Sequence, residues 1–251
     1  MRSHVGKVRQ VNEDQAWSGV LPGGWTAAIV ADGMGGHRAG DVASSLAVDS
    51  LVQSLQSWEH AASVADSVPK LREIIRQANK TVFDTASLND QYHNMGTTVV
   101  MAMIRGESGL IGHIGDSRAY RLRGGRLELL TEDHTLVNEL TKSGQLTPQE
   151  AAHHPRRNVL TRALGTDREV DADVQVIDWR SGDVLLLCSD GLSGLVEPSE
   201  VQAALEHPGA DLDQQAQQLI DLALVAGGDD NITVVLVADD GRAYAAGGES
   251  A

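Results

Sequence analysis

A chain of 251 residues with 35 acidic against 20 basic side chains, a formal net charge of −15, is long enough for one large domain or two small ones. It is too acidic for a surface that grips nucleic-acid phosphates, which calls for clustered Lys and Arg. The single cysteine, Cys188, lies in an apolar run and can build neither a disulfide framework nor a zinc cluster.

No charged start precedes an apolar signal core, and the longest apolar runs, 99–104 and 232–238, fall far short of the ~20 residues of a membrane span. A soluble, cytoplasmic protein is expected. Residues 3–17 read as a strand or strand edge whose Asn12-Glu13-Asp14 run is polar enough for a loop. The run Ala27-Ala28-Ile29-Val30-Ala31 then predicts a strand buried on both faces, stopping at Asp32 and followed by Gly33, Gly35 and Gly36, which let the backbone approach something beyond the strand end.

From Gly40 the period changes. Val42, Leu46, Leu51, Val52, Leu55 and Trp58 share one helical face, and Leu71, Ile74, Ile75, Ala78 and Val82 repeat the spacing after Pro69, which predicts two amphipathic helices covering a sheet. Strands follow at 96–104 and 109–114, the second ending in Gly115-Asp116. Residues 119–123 and 126–130 flank Gly124-Gly125, the signature of a tight hairpin, so the sheet is not purely parallel.

Residues 131–170 are short and polar, and Thr147-Pro148-Gln149-Glu150 has the pattern of a capped helix start. His153-His154 does not suggest zinc, because adjacent residues point apart and no second pair stands at ligand spacing. The run 183–188 leads into Ser189-Asp190-Gly191, a third apolar strand ending beside an acid. A further helix carries Leu212, Ala216, Leu219, Ile220 and Ala223, and Asp229-Asp230-Asn231 precedes the strand at 232–237. Residues 239–251 read as a disordered tail.

Asp32, Asp116, Asp190 and Asp230 thus each stand at an apolar strand end, which independent turns explain poorly. If the fold gathers them they repel: two carboxylates ~4 Å apart at an effective dielectric near 20 cost about 4 kcal/mol, so the cluster must be protonated, hydrated or neutralised by cations. All-oxygen donors select hard ions, Mg²⁺ or Mn²⁺. A two-metal site of that kind acidifies a bridging water and clamps an in-line displacement at phosphorus. The Gly-x-Ser-x-Gly elbow, the phosphate-binding Gly-x-x-x-x-Gly-Lys-Ser/Thr loop and His-Glu-x-x-His are all missing.

The ordered set Arg9 with Asn12-Glu13-Asp14, Asp32-Gly33-Met34-Gly35-Gly36-His37, Met95-Gly96-Thr97-Thr98, Gly115-Asp116-Ser117-Arg118, residues 154–165, Ser189-Asp190-Gly191 and Asp230-Asn231-Ile232-Thr233 resembles the bacterial metal-dependent type 2C (PPM family) serine/threonine protein phosphatases. The resemblance covers nearly the whole chain. It implies an α+β fold: a four-layer α-β-β-α sandwich of two antiparallel sheets flanked by helices, as one domain over 1–238 with a flap at about 131–170 that shapes protein-substrate docking.

Carried over position by position, Asp32 would bridge two ions and Gly33 would offer its carbonyl, while Asp190 and Asp230 would complete the ligands of the first ion. Asp230 is chosen over Asp229 because it directly precedes Asn231. Glu13 or Asp14 would serve the second ion, Asp116 with Asp190 a third, and Arg9 would fix the substrate phosphate. Met34 stands where animal relatives have a proposed general acid, which leaves His37, a metal-bound water or solvent for that task.

The implied activity is hydrolysis of phosphoserine and phosphothreonine in proteins, with two or three Mn²⁺ or Mg²⁺ ions, opposing a bacterial Ser/Thr kinase. The Ser3-His4-Val5-Gly6 start also resembles phosphatases linked to type VI secretion. Rival readings are a metal phosphoesterase for small phosphorylated metabolites and a catalytically dead phosphoprotein-binding module.

Overall fold

The structure, a computed structural model, describes residues 1–35, 39–58 and 64–239. His37 and the tail beyond residue 239 lie outside the described residues. The chain runs through β1 (Arg2–His4), β2 (Asp14–Leu21), β3 (Trp25–Met34), the helices α1 (Ala39–Gln56) and α2 (Val64–Leu88), then β4 (Gly96–Thr97), β5 (Val99–Arg105) and β6 (Ser108–Ile114). There follow β7 (Arg118–Arg123), β8 (Arg126–Leu129), α3 (Leu136–Lys142), α4 (Pro148–Ala152), β9 (Asp173–Asp178) and β10 (Val184–Cys188). Three helices, α5 (Asp190–Ser193), α6 (Pro198–Leu205) and α7 (Leu212–Val225), precede β11 (Ile232–Ala238).

Two sheets form, one in the order β1-β11-β10-β7-β8 and the other β2-β3-β5-β6-β9, with β4 attached to β3. Every strand pair is antiparallel. The expected hairpin is present: Arg123 pairs with Arg126, and Gly124 and Gly125 take φ of 54° and 73°, the left-handed values a two-residue turn of this type requires.

Side-chain alternation sorts the strands into layers. On β3, Ala27, Ile29 and Ala31 face α1 and α2, together with Leu51, Leu55, Leu71 and Ile75. Ala28 and Val30 point the other way, into the space between the sheets, where they meet Val100, Leu185, Leu187 and Val235. A third cluster packs Leu186, Cys188 and Val234 against α5, α6 and α7. The sandwich is therefore helices, sheet, sheet, helices. β3 reads as an unbroken apolar run because both its faces are covered.

Boundaries differ from the sequence reading: the stretch 3–17 holds the end of β1 and the start of β2 with no strand between them, and 96–104 divides into β4 and β5. β3 does not stop at Asp32. It continues to Met34 because Gly33 and Met34 gain a new partner in β4, pairing with Thr97 and Gly96. The second helix begins at Val64, before Pro69 rather than after it. Proline lies in the second turn there, where the missing N–H forfeits one bond near an end already short of them.

The segment 131–170 carries α3 and α4, both capped: Thr135 accepts from the Asn138 N–H, and Thr147 and Glu150 form the reciprocal box expected from the sequence. No helix among the described residues is long and apolar enough to cross a membrane.

Candidate metal centre

One end of the sandwich collects the acids. Asp32 follows Ala28 and Val30 by the same two-residue step, so its side chain enters the intersheet space just where the apolar filling ends. Asp190 opens α5 directly after β10, Asp116 sits in the turn between β6 and β7, and Asp230 precedes β11. These four, with Arg9, Glu13, Gly33, Thr161, Arg162 and Asp167, line a cavity of about 470 Å³. Asp14 lies deeper. It is the register partner of Asp32 across β2 and β3, is buried, and accepts a 2.8 Å hydrogen bond from Ser189 Oγ at Oδ2.

Backbone and hydroxyl contacts fix the frame. Thr98 Oγ1 accepts from the Asp32 N–H at 3.1 Å, and the Asp32 carbonyl accepts from both the Thr97 hydroxyl and the Thr98 N–H at 2.9 Å. Thr98 Oγ1 and Ser117 Oγ stand 2.7 Å apart, which joins the Asp32 strand to the Asp116 turn. Asn231 anchors the N-terminal loop: Oδ1 accepts from the Glu13 N–H, while Nδ2 donates to the carbonyls of Val5 and Val11. A Cβ on Gly33 would meet the Gly40 carbonyl oxygen at 2.0 Å and that of Glu13 at 2.7 Å. Only glycine fits between them.

Burial raises the carboxyls first, and their neighbours raise them further. Asp14 is pushed up to about 7 by burial and by Asp190 and Asp230, against the hydrogen bonds from Thr233 and Ser189. Burial with Asp190 and Asp133 brings Asp116 up to about 7. Asp32 is held well above the usual carboxylate range by burial and then by Asp14, Asp190, Asp116 and Asp230, and Asp190 is raised by burial and Asp230. Left without cations, this cluster keeps protons at a pH where carboxylates normally lose them.

Residues 2–243 match the family model described as protein phosphatase 2C. The chain belongs to the protein phosphatase 2C family. The serine/threonine phosphatase stp of Listeria monocytogenes is 39% identical, over 95% of this chain and 94% of its own length. Two solved structures superpose closely. The catalytic domain of the serine/threonine phosphatase PstP, solved in complex with two manganese ions, aligns with a TM-score of 0.81 at 37% identity, covering 94% of each chain. PppA of Pseudomonas aeruginosa, described as a key regulatory component of T6SS, aligns at 0.80 with 39% identity, covering 94% of this chain and 95% of its own.

Residues present in this phosphatase 2C chain fit hard divalent ions. Every donor in the cluster is an oxygen, and among the described residues six carboxylates, Glu13, Asp32, Asp116, Asp167, Asp190 and Asp230, share the cavity with two guanidinium groups, Arg9 and Arg162. Buried Asp14 Oδ1 has no hydrogen-bond partner among the described residues. Arg9 Nη2 donates to Asp230 Oδ2 at 2.7 Å. Of the site residues expected from the sequence, Arg9, Glu13, Asp32, Gly33, Asp116, Asp190 and Asp230 come together at the cavity, Asp14 stands behind it, and His37 falls outside the described residues.

Sequence reasoning did not assign roles to Thr98, Ser117, Ser189 and Asn231. Ser117, Ser189 and Asn231 each lie inside a quoted motif beside a candidate acid, and Thr98 lies in the quoted Met95-Gly96-Thr97-Thr98, local signals that marked the neighbourhood but not the hydrogen bond.

Proposed function

We propose that this chain is a metal-dependent serine/threonine protein phosphatase whose ions are held by Asp32, the Gly33 carbonyl, Asp190, Asp230, Glu13 and Asp116. The observation that carries the reading is the group of half-buried carboxylates, raised by desolvation and mutual repulsion, facing one open cavity with Arg9 among its lining residues. Bound there, Mn²⁺ or Mg²⁺, as two or three ions, supplies a water acidified to near neutrality and positive charge for the phosphoryl oxygens.

Arg9 holds the substrate phosphate. A planar guanidinium donates in parallel to two phosphate oxygens, and Asp230 on its far side restrains it at 2.7 Å. Glu13 rather than Asp14 is the direct ligand in this reading, since Glu13 lines the cavity and Asp14 serves from behind, oriented by Ser189. The phosphatase domain spans 1–238. Its flap at 131–170 contributes Asn158, Leu160, Thr161 and Arg162 to the cavity wall and meets the protein part of the substrate.

Phosphorylated proteins in the cytoplasm are the substrates, and a Ser/Thr kinase is the opposing partner. A role in type VI secretion is supported by the likeness to PppA. The deciding experiment compares Mn²⁺-dependent turnover of phosphoserine and phosphothreonine peptides with that of small phosphorylated metabolites. A kcat/KM clearly higher on the peptides is expected; preference for the metabolites overturns the protein substrate, and no turnover of either overturns the enzyme.

A further inference from the structure

Among the described residues, His113, His134 and Asp173 bring three donor atoms within 4.8 Å of one another, a grouping that no local spacing in the sequence announces. Its hydrogen bonds are not those of a metal site. His134 Nδ1 accepts from the Gly115 N–H at 3.1 Å, so the ring proton sits on Nε2, 3.2 Å from Asp173 Oδ2, which accepts it. His113 directs Nε2 to the Glu132 carbonyl at 2.9 Å. The two rings are stacked, 4.7 Å apart at 23°, so their in-plane lone pairs run side by side instead of converging on one ion.

What the His134 ring holds is the turn bearing Asp116. Gly115 is fixed at both ends by this one residue: its N–H donates to Nδ1, and its carbonyl accepts from the His134 N–H at 2.9 Å. Gly115 takes φ +102°, and a Cβ there would meet Thr98 Cγ2 at 2.5 Å, so the turn has no slack. The His134 carbonyl in turn accepts from the Thr161 N–H at 2.9 Å, and Arg162 reaches Asp173 Oδ1 at 3.2 Å. Thr161 and Arg162 line the cavity. Burial, then His113 and Arg162, lower the His134 pKa to about 4, which keeps Nδ1 free to accept.

We propose that His134 is a positioning residue of this phosphatase, its ring fixing the Gly115–Asp116 turn and its backbone the Thr161–Arg162 wall, so that Asp116 is presented in one orientation to a divalent ion. The proposal rests on the reading of Asp116 as a metal ligand.

The test titrates Mn²⁺ into the full chain and follows bound ion by electron paramagnetic resonance, for wild type, Asp116→Ala, His134→Asn and His134→Gln. Asparagine places an acceptor where Nδ1 stood; glutamine keeps an arm toward Asp173 but not that acceptor. His134→Gln should weaken by about tenfold or more the Mn²⁺ site that Asp116→Ala weakens, while the other sites keep their affinity, and His134→Asn should stay within about threefold of wild type. Peptide hydrolysis should show the glutamine defect at limiting Mn²⁺ and recover toward wild type at saturating Mn²⁺. Equal Mn²⁺ titrations for the Asn and Gln variants overturn the positioning role. If Asp116→Ala leaves every Mn²⁺ site unchanged, it is the assignment of Asp116 that fails instead.

Discussion

Asp14 and Asp32 are register partners on neighbouring antiparallel strands, so both carboxylates point into the space between the sheets, Asp14 buried there and Asp32 half-buried at the cavity. A directly paired like-charged couple destabilises a sheet, and a fold that keeps one needs protons or cations to offset it. The consequences of that pairing can be measured.

The chain stripped of divalent ions should lose stability as pH rises. Asp14 and Asp116 are raised to about 7 against 3.8 unfolded, so the folded state binds more protons between those limits and stability falls as pH rises through that window. Asp32 and Asp190 are raised too and act in the same direction. His134, lowered from 6.5 to about 4, and His113, also lowered by burial, act oppositely and are outnumbered by the four raised aspartates and Glu13. Thermal melts from pH 5 to 8 with chelator should show a falling Tm, and Mn²⁺ should flatten the trend.

Asp190→Asn should reduce turnover by about two orders of magnitude, as expected for loss of a charged group that organises the reacting centre. It should also raise the Tm of the metal-free chain, because it removes a buried charge next to Asp230 and Asp32. Unchanged turnover counts against the metal assignment.

Arg9→Ala should lower kcat/KM by about 10- to 100-fold, the worth of charge-assisted hydrogen bonds of ~1.5–3 kcal/mol, and Arg9→Lys should recover only part of it because a point charge replaces a fork. Steady-state kinetics on a phosphoserine peptide checks this. The exposed ion pair with Asp230 adds little to folding, so Tm should hardly move.

Thr98→Val keeps shape but removes the acceptor for the Asp32 N–H and the Ser117 partner, both buried. A loss of about 1–3 kcal/mol in denaturant melts is expected from the unpaired donor. Gly33→Ala should be worse, since its Cβ would lie 2.0 Å from the Gly40 carbonyl oxygen and backbone must move.

The layers and the acid cluster were legible because their signals are local. β3 shows its two buried faces as five consecutive apolar residues, and Asp32, Asp116 and Asp190 each sit at a strand end beside glycine. The extension of β3 beyond Asp32 was not legible, because it depends on β4, more than sixty residues away, pairing with Gly33 and Met34. Glu13 and Asp14 are adjacent, and only the strand's alternation, which turns Asp14 inward and leaves Glu13 at the cavity, separates them. His134 was visible only as one histidine in a polar stretch. Its partners Gly115 and Asp173 are 19 and 39 residues distant, beyond any helical or strand period.

The most direct test of the central claim, that converged carboxylates hold divalent ions on which hydrolysis depends, is phosphate release from a phosphoserine peptide before and after exhaustive chelation, followed by Mn²⁺ return. The expected result is activity abolished by the chelator and restored by Mn²⁺ in wild type but not in Asp190→Asn. Full activity in the chelated chain would contradict it.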